Sequence, residues 1–396
     1  MYPDFSYLFH DLFGTSPDNG FSLIKTFGFF LAAGVGVLAY LFKVELKRKA
    51  DEGIFKPYPI IEVEGEPATL GEILGNAIMG LVIGMKVPYA YAHLGEFQMD
   101  PAGAIFSMKG NIVLGLILAA AFGYWRFWTG QKHKLDPPKK TKVNVYPHDK
   151  ITEIAMIAAF SGILGSKIFD ILEHLDAFYK DPIGVFLSGS GLAIYGGLIF
   201  GYIAVVWYLR KNFKGISILH AMDAVAPALI LGYGTGRLGC QFSGDGDWGI
   251  PVKGVRDGVE YAFTKPGWLP DFLWAQTYPH NVAGEGAPIP GCTWHYCTEL
   301  TTGVFPTPLY EIMLSILIFG ILWALRKRIK TAGVLFFLFM ILDGLERFFI
   351  EKIRVNIKYE YFGFHFTQAQ LIAIAMIILG IAGIIWRKQV SKQKTV

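Results

Sequence analysis

Charge and cysteine are both scarce in this 396-residue sequence. Only 17% of its residues are Asp, Glu, Lys or Arg, and three are cysteines. Low charge with 53% hydrophobic residues and a mean hydropathy of +0.40 excludes an ordinary water-soluble globular domain. So few cysteines exclude a disulfide-dense secreted scaffold. No Walker-type phosphate loop, zinc-protease helix motif or Gly-x-Ser-x-Gly elbow occurs. No inverted repeat or pair of broken helices is visible, which argues against a transporter. The N-terminus is acidic and aromatic rather than basic ahead of the first apolar run. No cleavable signal peptide is therefore expected, and the first span is expected to remain as an anchor.

Long apolar runs are abundant. Nine approach or reach the length of about 20 residues that a bilayer-spanning helix needs. They are Phe21–Phe42, Glu72–Tyr91, Asn111–Phe127, Ile151–Asp170, Leu192–Leu209, Leu219–Leu238, Pro308–Leu325, Ala332–Ile350 and Thr367–Trp386. Basic clusters follow the odd-numbered spans: Lys43 to Lys49, Lys132 to Lys142, Arg210 to Lys214, Arg326 to Lys330, and Arg387 to Lys394. Loops after the even spans are acidic or balanced, and residues 240–306 hold seven carboxylates against three basic side chains. By the positive-inside rule the N-terminus faces out and the C-terminus faces the cytoplasm. The expected fold is thus an all-α polytopic membrane protein with about nine transmembrane helices. Phe55–Ala68 and residues 132–147 read as polar connectors.

In the outward loop, Cys292 and Cys297 lie five residues apart. That compartment permits a disulfide. A metal site with His295 is the alternative, disfavoured because zinc sites ordinarily use a fourth ligand.

The segment Gly232-Tyr-Gly-Thr-Gly236-Arg237-Leu-Gly239-Cys240-Gln-Phe-Ser243-Gly-Asp245-Gly-Asp-Trp248-Gly249 places an arginine among glycines where an apolar run stops. An arginine at membrane depth is costly and usually has an anionic partner, while glycine admits close backbone approach. A lipid phosphate fits that description. A glycine-rich loop after a helix, with a snorkelling arginine, is the competing reading. The eighth span runs outward into Arg347, Glu351 and Arg354, spaced i, i+4, i+7 on one helical face. Read alone, these make an ordinary ion pair with a snorkelling neighbour. The fifth span opens with Tyr195-Gly196-Gly197, which alone reads as a belt tyrosine and helix-packing glycines. Together, arginines on two spans at similar depth beside a Tyr-Gly-Gly step fit a cationic pocket open to the outer leaflet.

The order Ala-Ile-Tyr-Gly-Gly-Leu-Ile, Gly-Arg-Leu-Gly, Pro-Thr-Pro-Leu-Tyr-Glu and Glu-Arg-Phe-Phe-Ile-Glu-Lys-Ile-Arg resembles the prolipoprotein diacylglyceryl transferase family over roughly residues 20–45 and 148–390. The resemblance implies three segments: 1–50 with the first helix, 51–147 as an inserted region with two additional helices, and 148–396 as a transferase core. The core carries an outward-facing subdomain at about 240–306. The family moves the diacylglyceryl group of phosphatidylglycerol to the lipobox cysteine thiol of a preprolipoprotein, at the outer face of the bacterial inner membrane. Partners would be that phospholipid, the lipobox peptide and membrane lipid. No cofactor, metal or nucleic acid is implied. Arg237 corresponds to the arginine of the family's Gly-Arg-x-Gly signature, Arg347 to the essential arginine near the end of the penultimate helix, Glu351 and Arg354 to the acid and second arginine that follow it, Asp223 to the aspartate before the signature, and Tyr310 and Glu311 to the next helix start.

Three departures stand out. The family's His-Gly-Gly reads Tyr195-Gly-Gly, the early tyrosine of the first helix becomes Phe27, and Asn-Phe-x-Asn-x-Glu becomes Cys240-Gln-Phe-Ser243-Gly-Asp245 with one extra residue before Trp248. A tyrosine, titrating near pH 10, is a poorer base than histidine. Arg237 and Arg347 are expected to clamp the phosphate, Tyr195 and Ser243 to orient it, and Glu351 or Asp223 to position an arginine. Gly196, Gly197, Gly236 and Gly239 would allow close approach. Asp245, Glu351 or Tyr195 would take the thiol proton, unless cationic surroundings alone suffice. A non-catalytic phospholipid- or lipoprotein-binding protein on this fold, or a related phospholipid-dependent transferase with another acceptor, is the alternative.

Overall fold

The computed structural model describes residues 1–99, 104–105, 107–187, 193–256, 259–356, 359–361 and 364–393. Leu192 at the expected start of the fifth span, Asp257 of the acidic loop and Lys394 of the last basic cluster lie outside the described residues. Among the described residues a helix stands at each expected span. After a short α1 (Phe5–Phe13) come α2 (Thr26–Asp51), α3 (Leu70–Ala92), α4 (Ile112–Lys132), α5 (Ile151–Glu173) and α6 (Ile194–Asn212). They are followed by α7 (Ile218–Ser243), α8 (Thr307–Leu325), α9 (Val334–Ile350) and α10 (Gln368–Gln393). Seven are long and apolar enough to cross a membrane; α6 and α9 are the two remaining expected spans. Apolar side chains such as Ile78, Leu116, Leu317 and Ile378 stay about 60% exposed on helix exteriors, as lipid-facing positions must.

The chain divides into two compact units, residues 1–54 with 217–396 and residues 55–216. The expected segments fall differently: α5 and α6, assigned from sequence to the core, group with the region 55–147.

In the second unit, α3 packs along α4 and α5 along α6. Glycines set both contacts: a Cβ on Gly84 would stand 2.6 Å from the Leu114 carbonyl oxygen, and one on Gly196 would overlap that of Gly165. Small residues at such crossings are how membrane helices approach without a hydrophobic driving force. The connectors expected as polar loops instead pair as an antiparallel ribbon, Tyr58–Glu64 with Lys139–Val145. Its alternating Lys-Val-Asn-Val pattern is a half-buried strand signal that polarity obscured.

In the first unit, α7 is the central helix. Gly34 of α2 faces Gly232, where a Cβ would approach the Gly232 carbonyl oxygen to 2.7 Å, and Gly234 faces Ser315 of α8 at the same distance. Ile230, Ile318, Leu322 and Leu335 form the core between α7, α8 and α9. The described residues of the segment 244–306 form a cap that, with the end of α7, holds the N-terminal residues. Met1 N donates to Pro279 O at 2.9 Å, Tyr2 N to Phe242 O at 2.7 Å, and Tyr296 N to the buried Tyr7 hydroxyl at 3.0 Å. Cys292 and Cys297 are disulfide-bonded, which decides between the two sequence readings of that pair.

Candidate active site

The glycine-rich segment around Arg237 is helix, not loop, as far as Ser243. Its glycines serve packing: Gly232 and Gly239 lie against α2, the latter with a would-be Cβ 3.1 Å from the Phe27 backbone. Tight helix contact outweighs a propensity cost of about 1 kcal/mol per glycine. Gly236 is the exception, with open space beside it. Arg237 therefore sits more than a turn inside the end of α7, aimed by a rigid helix.

Helix α7 stops at Gly244, in the left-handed conformation (φ 64°), with its N–H on Cys240 O at 3.0 Å. Gly246 follows at φ 95°, and Asp245 Oδ1 accepts from Asp247 N at 3.2 Å. This turn folds Asp247 back onto the helix that precedes it, where its carboxylate pairs with Arg237 Nη1. Thr307 Oγ1, at the start of α8, donates to Asp247 O at 2.7 Å and fixes the turn against the next helix.

Glu311, one turn into α8 and fully buried, is the hub. Its carboxylate lies 2.8 Å from Arg237 Nε, 3.2 Å from Arg347 Nη1 and 3.5 Å from Arg354 Nη1. Arg354 Nη2 also meets Asp247 at 2.5 Å, and Arg347 Nη2 lies 3.3 Å from the buried Glu351. Three guanidinium groups thus interlock with three carboxylates. Asn356 Nδ2 donates to Glu351 Oε1 at 2.5 Å. Arg237 Nε donates to the Tyr233 hydroxyl at 3.1 Å, and its guanidinium lies 5.1 Å from that ring. Such pairing meets the desolvation cost of buried charge and holds each arginine in one orientation. Arg237 Nη2 and Arg347 Nε make no hydrogen bond among the described residues, and Arg347 is the most exposed of the three arginines at 26%. Those donors can meet an anion without dismantling the cluster.

Arg354 reaches the cluster by a route that helical spacing did not anticipate. Helix α9 ends at Ile350, residues 351–353 form a 3-10 turn, and Arg354 is extended (φ −91°, ψ 156°). Ile250 N donates to Ile353 O at 2.7 Å, which docks this strand on the chain after Trp248. Gly249 is required at the crossing, since a Cβ would meet Ile353 O at 2.6 Å.

Burial and the neighbouring Asp247 raise the carboxyl pKa of Asp245 above its ordinary value. Burial acts in the same direction on Asp247, but Arg237 and Arg354 outweigh it and the net shift is downward. One carboxylate of this turn is therefore committed as an anion, and the other is a better proton acceptor. Cys240, Asp245 and Asp247 lie close enough to share a cation, but Asp247 is already engaged by both arginines.

Within the first unit, not every expected residue joins this cluster. Asp223 lies 14 positions before Arg237 on α7, roughly 21 Å away at 1.5 Å per residue. It accepts from Gly333 N at 2.7 Å and Phe336 N at 3.0 Å, and so caps the N-terminus of α9 instead of positioning an arginine. Ser243 is fully buried and its Oγ has no hydrogen-bond partner among the described residues. Tyr310 turns its hydroxyl to Leu273 O at 2.5 Å. Tyr195, Gly196 and Gly197 belong to the other unit, where Gly196 and Gly197 pack α6 on α5. Asp247 and Tyr233 were missed from sequence. Tyr233 stands four residues before Arg237, a spacing that places both on one face; Asp247 carries no helical signal, because a turn delivers it.

The family model for prolipoprotein diacylglyceryl transferase matches residues 105–386, beginning ahead of α4. A phosphatidylglycerol–prolipoprotein diacylglyceryl transferase of Corynebacterium diphtheriae is 28% identical over 237 residues, 59% of this chain and 76% of that one. One from Dehalococcoides mccartyi is 26% identical over 308 residues, 75% of this chain and 97% of its own. One from Clostridium novyi is 28% identical over 275 residues, 69% of this chain and 88% of its own. The chain is a multi-pass membrane protein and belongs to the prolipoprotein diacylglyceryl transferase family.

Proposed function

We propose that this protein transfers the diacylglyceryl group of phosphatidylglycerol to the lipobox cysteine thiol of a preprolipoprotein, with the arginine–carboxylate cluster as its reaction centre. The observation that carries the reading is the convergence of Arg237, Arg347 and Arg354 on buried Glu311. The substrate thiol displaces the phosphate ester at the glycerol carbon: a carbon–sulfur bond forms, the carbon–oxygen bond breaks, and glycerol phosphate leaves with the electron pair. Arg237 and Arg347 stabilise that charge through their unengaged donors, as preorganised donors do where negative charge develops. The thiol proton passes to Asp245, whose raised pKa suits a base. Glu311, Asp247 and Glu351 hold the arginines in register.

The proposed setting is the bacterial inner membrane, with N-terminus and cluster outward and C-terminus in the cytoplasm. Two observations support this orientation. The Cys292–Cys297 disulfide lies in the cap that follows Arg237, and disulfides persist in oxidising compartments. The loops at the other end of the first unit's helices carry the lysine and arginine clusters.

The test is direct. Purified protein incubated with phosphatidylglycerol and a lipobox peptide is expected to yield a thioether-linked product and free glycerol phosphate. Arg237→Ala should abolish both while the protein still inserts. An Arg237→Ala protein that lipidates the peptide at the wild-type rate overturns the assignment.

A further inference from the structure

At the far end of the first unit's helices, about 22 Å along α8 from Glu311 by helical rise, lies a cavity of about 410 Å³ that the proposed reaction does not use. Five basic side chains and a single carboxylate line it, from the end of α2, the start of α7 and the segment after α8. Positive-inside charge accounts for exposed lysines there, such as Lys327 and Lys330. It does not account for Lys49, which is only 5% exposed, lines the cavity, and has no carboxylate at ion-pair distance among the described residues.

The carboxylates that might answer it are engaged elsewhere. Glu45 lies 2.7 Å from Arg48 and 2.8 Å from Arg326, and Glu52 lies 2.6 Å from Arg48. Asp223 is occupied with the backbone N–H groups of Gly333 and Phe336. On the same wall, His220 Nδ1 is shielded from solvent and has no hydrogen-bond partner among the described residues. Asp223, Glu45 and Glu52 attract the Lys49 ammonium from beyond ion-pair distance, and a charge on a largely buried side chain is ordinarily paired directly. The cavity beside it has room for an anion from outside the chain.

We infer that this cavity is a second anion site, which binds a phosphate group through Lys49, His220, Lys330 and Arg326. The phosphate is a lipid headgroup of the adjacent leaflet or a soluble phosphate. The ligand chemistry is common to both, and the inference goes beyond the transfer reaction.

The full-length protein in zwitterionic nanodiscs would be compared with Lys49→Met, Lys330→Gln and Arg237→Ala. Phosphatidylglycerol doped into the nanodisc tests the lipid source by native mass spectrometry, and inorganic phosphate tests the soluble one by thermal shift. The wild type should gain one phosphatidylglycerol beyond any held at the arginine cluster, or a phosphate-dependent rise in unfolding midpoint, that both cavity variants lose by tenfold or more in half-saturating concentration. Arg237→Ala should retain it, so failure of the transfer reading leaves this result standing. Without added anion, Lys49→Met should unfold no earlier than wild type, because an unpaired charge has been removed. Should Lys49→Met fail to fold, the exposed Lys330→Gln decides. Equal anion binding in wild type and the cavity variants, or no response to either probe, overturns the inference.

Discussion

Replacing Glu311 by glutamine removes one negative charge at nearly constant shape from the centre of three arginines. The carboxylate is fully buried and lies 2.8, 3.2 and 3.5 Å from Arg237, Arg347 and Arg354. A unit-charge pair at 4 Å is worth about 4 kcal/mol at an effective dielectric of 20, and the cost of dehydrating both partners offsets most of that. Removing one partner of a buried pair, which strands the other, typically costs about 3–5 kcal/mol, and here three cations lose their shared anchor. Glu311→Gln should therefore lower the unfolding midpoint by several degrees. Misaligned arginines should lower kcat by about 10²–10³, the loss expected for one transition-state donor. Phosphatidylglycerol binding should hold or strengthen, because an anion that competes with phosphate has gone. Initial rates against phospholipid concentration separate kcat from KM, and Glu311→Asp should recover part of kcat. Wild-type kcat together with a wild-type midpoint in Glu311→Gln would refute the hub role.

Three further predictions follow from the same geometry. Gly34→Ala should cost about 1–3 kcal/mol, since its Cβ meets the Gly232 carbonyl oxygen at 2.7 Å, whereas Gly36→Ala, with nothing within 4 Å, should be neutral or slightly stabilising in thermal unfolding. Asp223→Ala should cost about 0.5–2 kcal/mol as a lost cap and leave kcat near wild type at a temperature where both are folded; a selective collapse of kcat would return Asp223 to the site. The two aspartates of the turn respond oppositely to acid. The lowered pKa of Asp247 gives stability that is present above the ordinary value of 3.8 and lost only as pH falls through the lower folded value. Asp245, raised above 3.8, takes up its proton first and its ionisation opposes folding, so kcat should rise with pH through its raised pKa while Asp247 stays ionised. Asp245→Asn should abolish that limb of the pH–rate profile, and an unchanged limb would assign the base elsewhere.

Hydropathy located a helix at each expected span among the described residues, seven of them long and apolar enough to cross a membrane, because apolar length is a local property of the chain and water-free surroundings leave helix as the way to satisfy the backbone. The order of the arginine and glycine blocks was likewise enough to point to the family. What surrounds each arginine was not legible. Asp247 reaches Arg237 through a turn built on two left-handed glycines, and Arg354 reaches Glu311 only after leaving the helix on which its spacing seemed to place it. Asp223 looked equivalent to the other acids until helical rise put it at the opposite end of α7. The glycines of α7 read as loop or ligand approach, yet most are there to let α2 and α8 come close. Spans and charge bias are encoded residue by residue. Which carboxylate holds which arginine depends on turns, crossings and close contacts between distant segments, and only the tertiary structure decides those.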